Sequence, residues 1–178
     1  MLDRLPDRLF PERLAKKSAV LKGCCPLDSS VRLAEIAHSL PADVELELRF
    51  SQHATGCALI EGVLRTELEL LCQRCLQSFN WPLNAEIKLT VQNSGDIEDK
   101  PSPPGFEPLI VDDDAGIETL RLLEDEIIVR LPAVPAHSKP ELCDQNMVKR
   151  SKEFDEHYSK DLKKQTGDNP FAVLKKLT

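Results

Sequence analysis

The chain reads as an α+β protein: a small antiparallel β-sheet with flanking helices, then a disordered linker and a C-terminal amphipathic helix. Three observations predict this. Apolar and polar residues alternate along Val44–Phe50 and again along Leu83–Val91, the period-two signature of half-buried strands. Two other stretches repeat apolar residues every three or four positions, as amphipathic helices do. Between the alternating runs stands Cys72-Gln73-Arg74-Cys75, where a hairpin must turn.

Taken in order, residues 1–27 carry Pro6, Pro11 and Gly23-Cys24-Cys25-Pro26, and read as an extended N-terminal arm with a short helix near residues 12–19. An α+β domain is expected over 28–143. Asp28-Ser29-Ser30 provides an N-cap for a helix over Val31–Leu40, whose Leu33, Ile36, Ala37 and Leu40 share one face and which Pro41 ends. A strand over Val44–Phe50 follows, then the turn at Thr55-Gly56. A long strand runs from Cys57 to the first thiol, with Gly62 a candidate bulge. Phe79–Gln92 is the returning strand. Residues 93–108, rich in Pro, Gly and acids, form a loop. Leu109–Val111 is a short strand. A helix from Ile117 to Arg130 turns Leu120, Leu123, Ile127 and Val129 to the core and Glu118, Arg121, Glu124 and Asp125 to water. Pro132 and Pro135 end it. Residues 144–168 are charged without a clear apolar face and read as a flexible linker or a frayed helix. In 169–178, Asn169 caps, Pro170 suits the first turn, and Phe171, Leu174 and Leu177 lie on one face, which describes a docking helix.

Charge narrows the function classes. The net charge is -7, but residues 23–138 hold eight basic and twenty acidic side chains, while both termini are mildly basic. The main body therefore lacks the basic footprint that phosphate contacts require. Aromatic content of 4% also argues against an aromatic stacking platform of the kind that grips single-stranded RNA. A basic protein partner, or RNA met by the termini, fits better. Without an apolar stretch of membrane-spanning or signal-peptide length, reduced cysteines in the cytoplasm are expected.

Cys72 and Cys75, with His137 and Cys143 beyond, have the residue types of a four-ligand zinc site. Such a closed Cys₃His site would be structural and would join the hairpin turn to the segment after the long helix. Two other readings stand beside it. The thiols could be small packing residues with His137 bonding locally, or Cys72 and Cys75 could be a redox dithiol. That motif usually opens a helix, whereas here strands flank it. Arg74, in the turn, is a candidate contact for phosphate or an acidic partner, or a solvated turn residue. Asp112-Asp113-Asp114 reads as a capping run more readily than as a metal site. Glu124-Asp125-Glu126 reads as a solvated helix face or a surface for a basic protein. A metal-dependent nuclease would need such carboxylates gathered in one cleft.

Four motifs in one order carry a resemblance. Cys72-Gln73-Arg74-Cys75-Leu76, Glu124-Asp125-Glu126-Ile127-Ile128, Leu131-Pro132-x-x-Pro135-x-His137 with Cys143, and Asn169-Pro170-Phe171-Ala172-Val173-Leu174 resemble the YceD family, whose members are called large-ribosomal-RNA-subunit accumulation proteins. The resemblance implies a bacterial cytosolic factor needed for synthesis, processing or stability of 23S ribosomal RNA, with no established catalytic activity. Its partners would be a ribosomal or assembly protein, the 23S precursor, or both. Arg74, Phe171, Leu174 and Leu177 are the candidate partner-binding residues.

Overall fold

The computed structural model describes residues 3–41, 43–93, 102–111 and 116–165. The chain forms two compact units, residues 1–71 with 78–135, and residues 72–77 with 136–178.

The first unit is built on a five-stranded sheet. Its strands are β2 (Val20–Pro26), β3 (Asp43–Gln52), β4 (Ala58–Leu71), β5 (Ser78–Asn93) and β6 (Glu107–Val111), side by side in that order. The first four pair antiparallel, while β6 runs parallel to β5, so the sheet is mixed at one edge. A small second sheet pairs β1 (Arg8–Leu9) with β7 (Ile117–Glu118). The helices are α1 (Pro11–Lys16), α2 (Val31–Ala34) and α3 (Thr119–Arg130). Residues 3–27 thus contribute a helix and a full sheet strand.

Alternation decides the faces, because successive strand residues point to opposite sides. Val44, Leu46, Leu48 and Phe50 on β3 are buried, as are Ile60, Leu64 and Leu68 on β4 and Leu83, Ala85, Ile87, Leu89 and Val91 on β5. Leu122, Leu123 and Ile127 of α3 and Leu33 of α2 join the same core, and half-buried Trp81 packs at its rim. The opposite face is ionic. Register sets Arg65 across from Glu45 and Arg49 across from Glu61, which in turn faces Lys88. Glu47 pairs with Lys22 (3.5 Å) and Arg49 (3.1 Å), and Glu86 with Lys88 (3.0 Å). Cations and acids alternate there, so Arg49, Arg65 and Lys88 do not make a field of one sign.

Several expectations are corrected. The helix expected over Val31–Leu40 stops at Ala34. Ser30 does cap it, accepting from the Leu33 N–H (3.3 Å). Beyond Ala37, however, the backbone is captured by β4: the His38 N–H donates to the Glu69 carbonyl (2.8 Å) and Ser39 bridges Glu69. On α3, Glu124 and Glu126 are buried rather than solvated, and Val129 is exposed. Ser30 Oγ donates to Glu124 (2.6 Å), Arg32 reaches Glu124 (3.4 Å) and Asp125 (2.6 Å), and Arg130 pairs with Glu126 (2.6 Å). Burial raises the Glu126 carboxyl above its usual range, against the pull of Arg130. Buried carboxylates need such partners, which an exposed helix face would not require.

Of the two readings of 144–168, linker or frayed helix, the helical one describes Gln145–Gln165, which is α4 and belongs to the second unit. Asp144 Oδ1 accepts from the Asn146 (2.8 Å) and Met147 (3.4 Å) N–H groups, satisfying two of the donors at the helix start. Asp112–Asp114 and residues 169–178, including Phe171, Leu174 and Leu177, lie outside the described residues.

Gly62 is no bulge. It pairs in register with Leu48 and Ile87, and a Cβ there would lie 2.4 Å from the Glu47 carbonyl oxygen and 2.7 Å from Leu48 Cδ2. The residue must be small because neighbouring backbone comes close. Gly62→Ala is expected to destabilise the protein by about 1–3 kcal/mol, the usual cost of overpacking, measurable as a lower urea midpoint.

Candidate metal centre

The site belongs to the second unit and starts at the turn between β4 and β5. There the Cys72 N–H donates to the Gln77 carbonyl (2.9 Å) and the Leu76 N–H to the Cys72 carbonyl (2.8 Å). These two bonds fold Cys72–Gln77 into a knuckle that brings Cys75 back toward Cys72. Closing it puts Leu76 at φ 60, left-handed backbone that costs a non-glycine residue about 1–2 kcal/mol. Leu76 is also exposed, so its side chain recovers little by burial.

The other ligand candidates follow α3. A single 3₁₀ turn, Pro140–Leu142, is closed by the Cys143 N–H donating to the Pro140 carbonyl (3.1 Å). Gln145 Nε2 donates to the carbonyls of Pro140 and Cys143, both at 3.0 Å. Cys143 immediately precedes Asp144, the cap of α4. The two halves are clamped by Arg74, whose guanidinium donates to the His137 carbonyl. Arg74 therefore has an internal partner. A one-residue sequence reading of an exposed turn could not have shown it.

The structure brings together all four residues singled out by spacing. One ligand atom from each of Cys72, Cys75, His137 and Cys143 lies within 4.8 Å of every other. Cys72 Sγ is 3.9 Å from Cys143 Sγ, and His137 Nδ1 is 3.6 Å from Cys75 Sγ and 3.7 Å from Cys143 Sγ. A tetrahedral zinc with its usual bond lengths would separate two sulfurs by about 3.8 Å and a sulfur from a nitrogen by about 3.5 Å. The cluster has those dimensions. A disulfide needs about 2.05 Å between sulfurs, so the 3.9 Å pair is two free thiols. All three cysteines are buried. The group could hold a metal ion.

Its electrostatics point the same way. Burial pushes the Cys72 thiol up, but hydrogen bonds from the His137 and Arg74 backbone, the His137 ring and the Cys75 backbone outweigh it and bring it down to about 5. Burial, then bonding to Cys72 and Cys75, pushes Cys143 up to about 11. The two thiols interact directly, so the pair gives up its first proton readily and resists losing the second. A second thiolate in this pocket needs a cation beside it.

Fold and site together define a small α+β protein with a buried three-thiol, one-imidazole cluster at a hairpin turn. Residues 60–178 match the family model described as "Large ribosomal RNA subunit accumulation protein YceD", and the chain belongs to that family. A protein of that name from Haemophilus influenzae is 28% identical over 175 residues, covering 98% of this chain and 96% of the relative. No solved structure matches the chain. Among the described residues, no helix is long and apolar enough to cross a membrane.

Two outcomes test the site without added metal. Ultraviolet thiolate absorbance of metal-free protein should retain one thiolate down to about pH 5, and Cys72→Ser should remove it. The sign is that of a depressed pKa: stabilisation from ionised Cys72 is complete above the ordinary value of 9.0, declines as pH falls and is lost below about 5. Leu76→Gly relieves the left-handed backbone but loosens the unfolded chain, so melting should show a net gain of about 0–1 kcal/mol. A β-branched Leu76→Val should instead lower the melting temperature.

Proposed function

We propose that this chain is a non-enzymatic ribosome-biogenesis factor that supports accumulation of large-subunit ribosomal RNA, acting in the cytoplasm. The observation that carries the role is the match to the Haemophilus influenzae relative along nearly the whole of both chains. Zinc, held by Cys72, Cys75, His137 and Cys143, is assigned a structural part. Four protein ligands close the coordination shell, which leaves no position for substrate. The ion would neutralise the thiolates and bind the knuckle to the start of α4, so metal binding would also be folding of this unit. Partners are the large-subunit RNA precursor or a ribosomal or assembly protein.

A dithiol redox centre of Cys72 and Cys75 is the second reading, and the lowered pKa of the Cys72 thiol favours it. Against it, Cys72 is 0% exposed, while the convergent imidazole completes a metal set. Metal analysis separates the two: one zinc per chain supports the structural reading, and a zinc-free protein cycling between dithiol and disulfide supports the other. Zinc uptake at pH 7 should release at least the Cys143 proton, read by calorimetry in buffers of different ionisation enthalpy. In cells, depletion should lower the ratio of large to small ribosomal RNA. Wild type should restore it, and Cys72→Ser with Cys143→Ser should not. An unchanged ratio on depletion would sink the proposed role.

A further inference from the structure

Helix α4 carries a feature that the metal centre does not use. Phe154 and Tyr158, one turn apart, are 69% and 59% exposed. Their rings lie within 8° of parallel, with centroids 6.2 Å apart. Arg150, one turn before Phe154, lines a surface hollow with them, together with Glu153 and His157. Leaving two aromatic faces in water forgoes about 1.5–3 kcal/mol for each side chain that burial would recover. The stripe does not suit self-association through a coiled coil. Heptad steps from Phe154 and Tyr158 reach one apolar residue, Met147, but also Asp161, Ser151 and Gln165, which would interrupt an apolar seam.

We propose that Phe154, Tyr158 and Arg150 form a stacking site for unpaired bases of single-stranded ribosomal RNA. The inference rests on the proposed role in large-subunit RNA accumulation and deepens it by naming RNA as the occupant of this helix. Bases stack on aromatic faces whatever their identity, and a guanidinium beside them meets phosphate or a further base plane. Charge agrees: Gln145–Gln165 carries six basic and four acidic residues, whereas residues 23–138 carry eight and twenty. The alternating ions on the outer face of the sheet do not offer a phosphate backbone a continuous track. Because Asp144 caps α4 directly after Cys143, a metal bound there would also hold the start of this helix.

The test uses the full-length, zinc-loaded protein and a fluorescein-labelled single-stranded segment of large-subunit ribosomal RNA, with its duplex as comparison. Phe154→Ala and Tyr158→Ala should each weaken single-strand binding roughly 5- to 150-fold. Phe154→Trp should bind as wild type, with tryptophan emission quenched on stacking. Arg150→Ala should reduce the dependence of log affinity on log salt by about 0.7. Unchanged affinity of Phe154→Ala/Tyr158→Ala overturns the proposal. So does wild-type affinity of Phe154→Leu/Tyr158→Leu, which would mean apolar contact rather than stacking. Circular dichroism confirms that helicity is kept, and the Trp variant reports stacking if an alanine variant misfolds. If RNA affinity survives in the double variant while depletion still lowers the RNA ratio, the stacking site falls and the proposed function stands. A ratio unchanged by depletion removes the function instead.

Discussion

The pairing of β4 with β5 is the constraint on which the structure depends. Thirteen consecutive residue pairs hold the two strands in one register, from Leu59 opposite Thr90 to Leu71 opposite Ser78. Shifting that register by one residue would exchange the faces of a whole strand, placing Leu64 and Leu68 among the ions and Glu61 and Arg65 in the core. The same pairing ends at Leu71 and Ser78, so the six residues between must reverse the chain. They do so by a knuckle that puts two thiols in one place. A strain accepted at Leu76 is the local consequence.

The candidate metal centre is defined by charge as much as by shape. Backbone donors around Cys72 stabilise a thiolate that burial alone would oppose, while Cys143 is driven to keep its proton. A pocket that holds one negative charge and resists a second becomes self-consistent with a divalent cation, which lets the thiols ionise together. Arg74 joins the two halves of the pocket through the His137 carbonyl, fixing the segment that supplies the imidazole.

Helices were less legible than strands, for physical reasons visible at particular residues. Period two in β3 and β5 is enforced over many residues by one buried face, so alternation announced both. The apolar pattern of Leu33, Ile36 and Ala37 extended past α2 because Ala37 is buried on either reading, but His38 and Ser39 bond to Glu69 instead of continuing the helix. Glu124 and Glu126 looked like solvent residues by type. The arrival of Ser30 and Arg32, distant in sequence, and of Arg130 makes their burial tolerable. In α4 a polar composition hid a helix begun by Asp144, whose capping spacing was the available signal.

Taken by itself, the sequence determined the α+β class, the hairpin with Cys72 and Cys75 at its turn, an N-cap within Asp28-Ser29-Ser30 and the identity of four candidate ligands. Each of these depends on neighbours close in the chain or on a repeating face, and both are written in residue order. Tertiary structure alone decided that Cys72 and Cys143, 71 residues apart, lie 3.9 Å from each other, and that Arg74 spans to His137. It also decided the opposite pulls on those two thiols, because backbone donors and burial converge on them from separate segments. Spacing can nominate ligands; only the folded path of the chain sets the distances and the local field that let them act together.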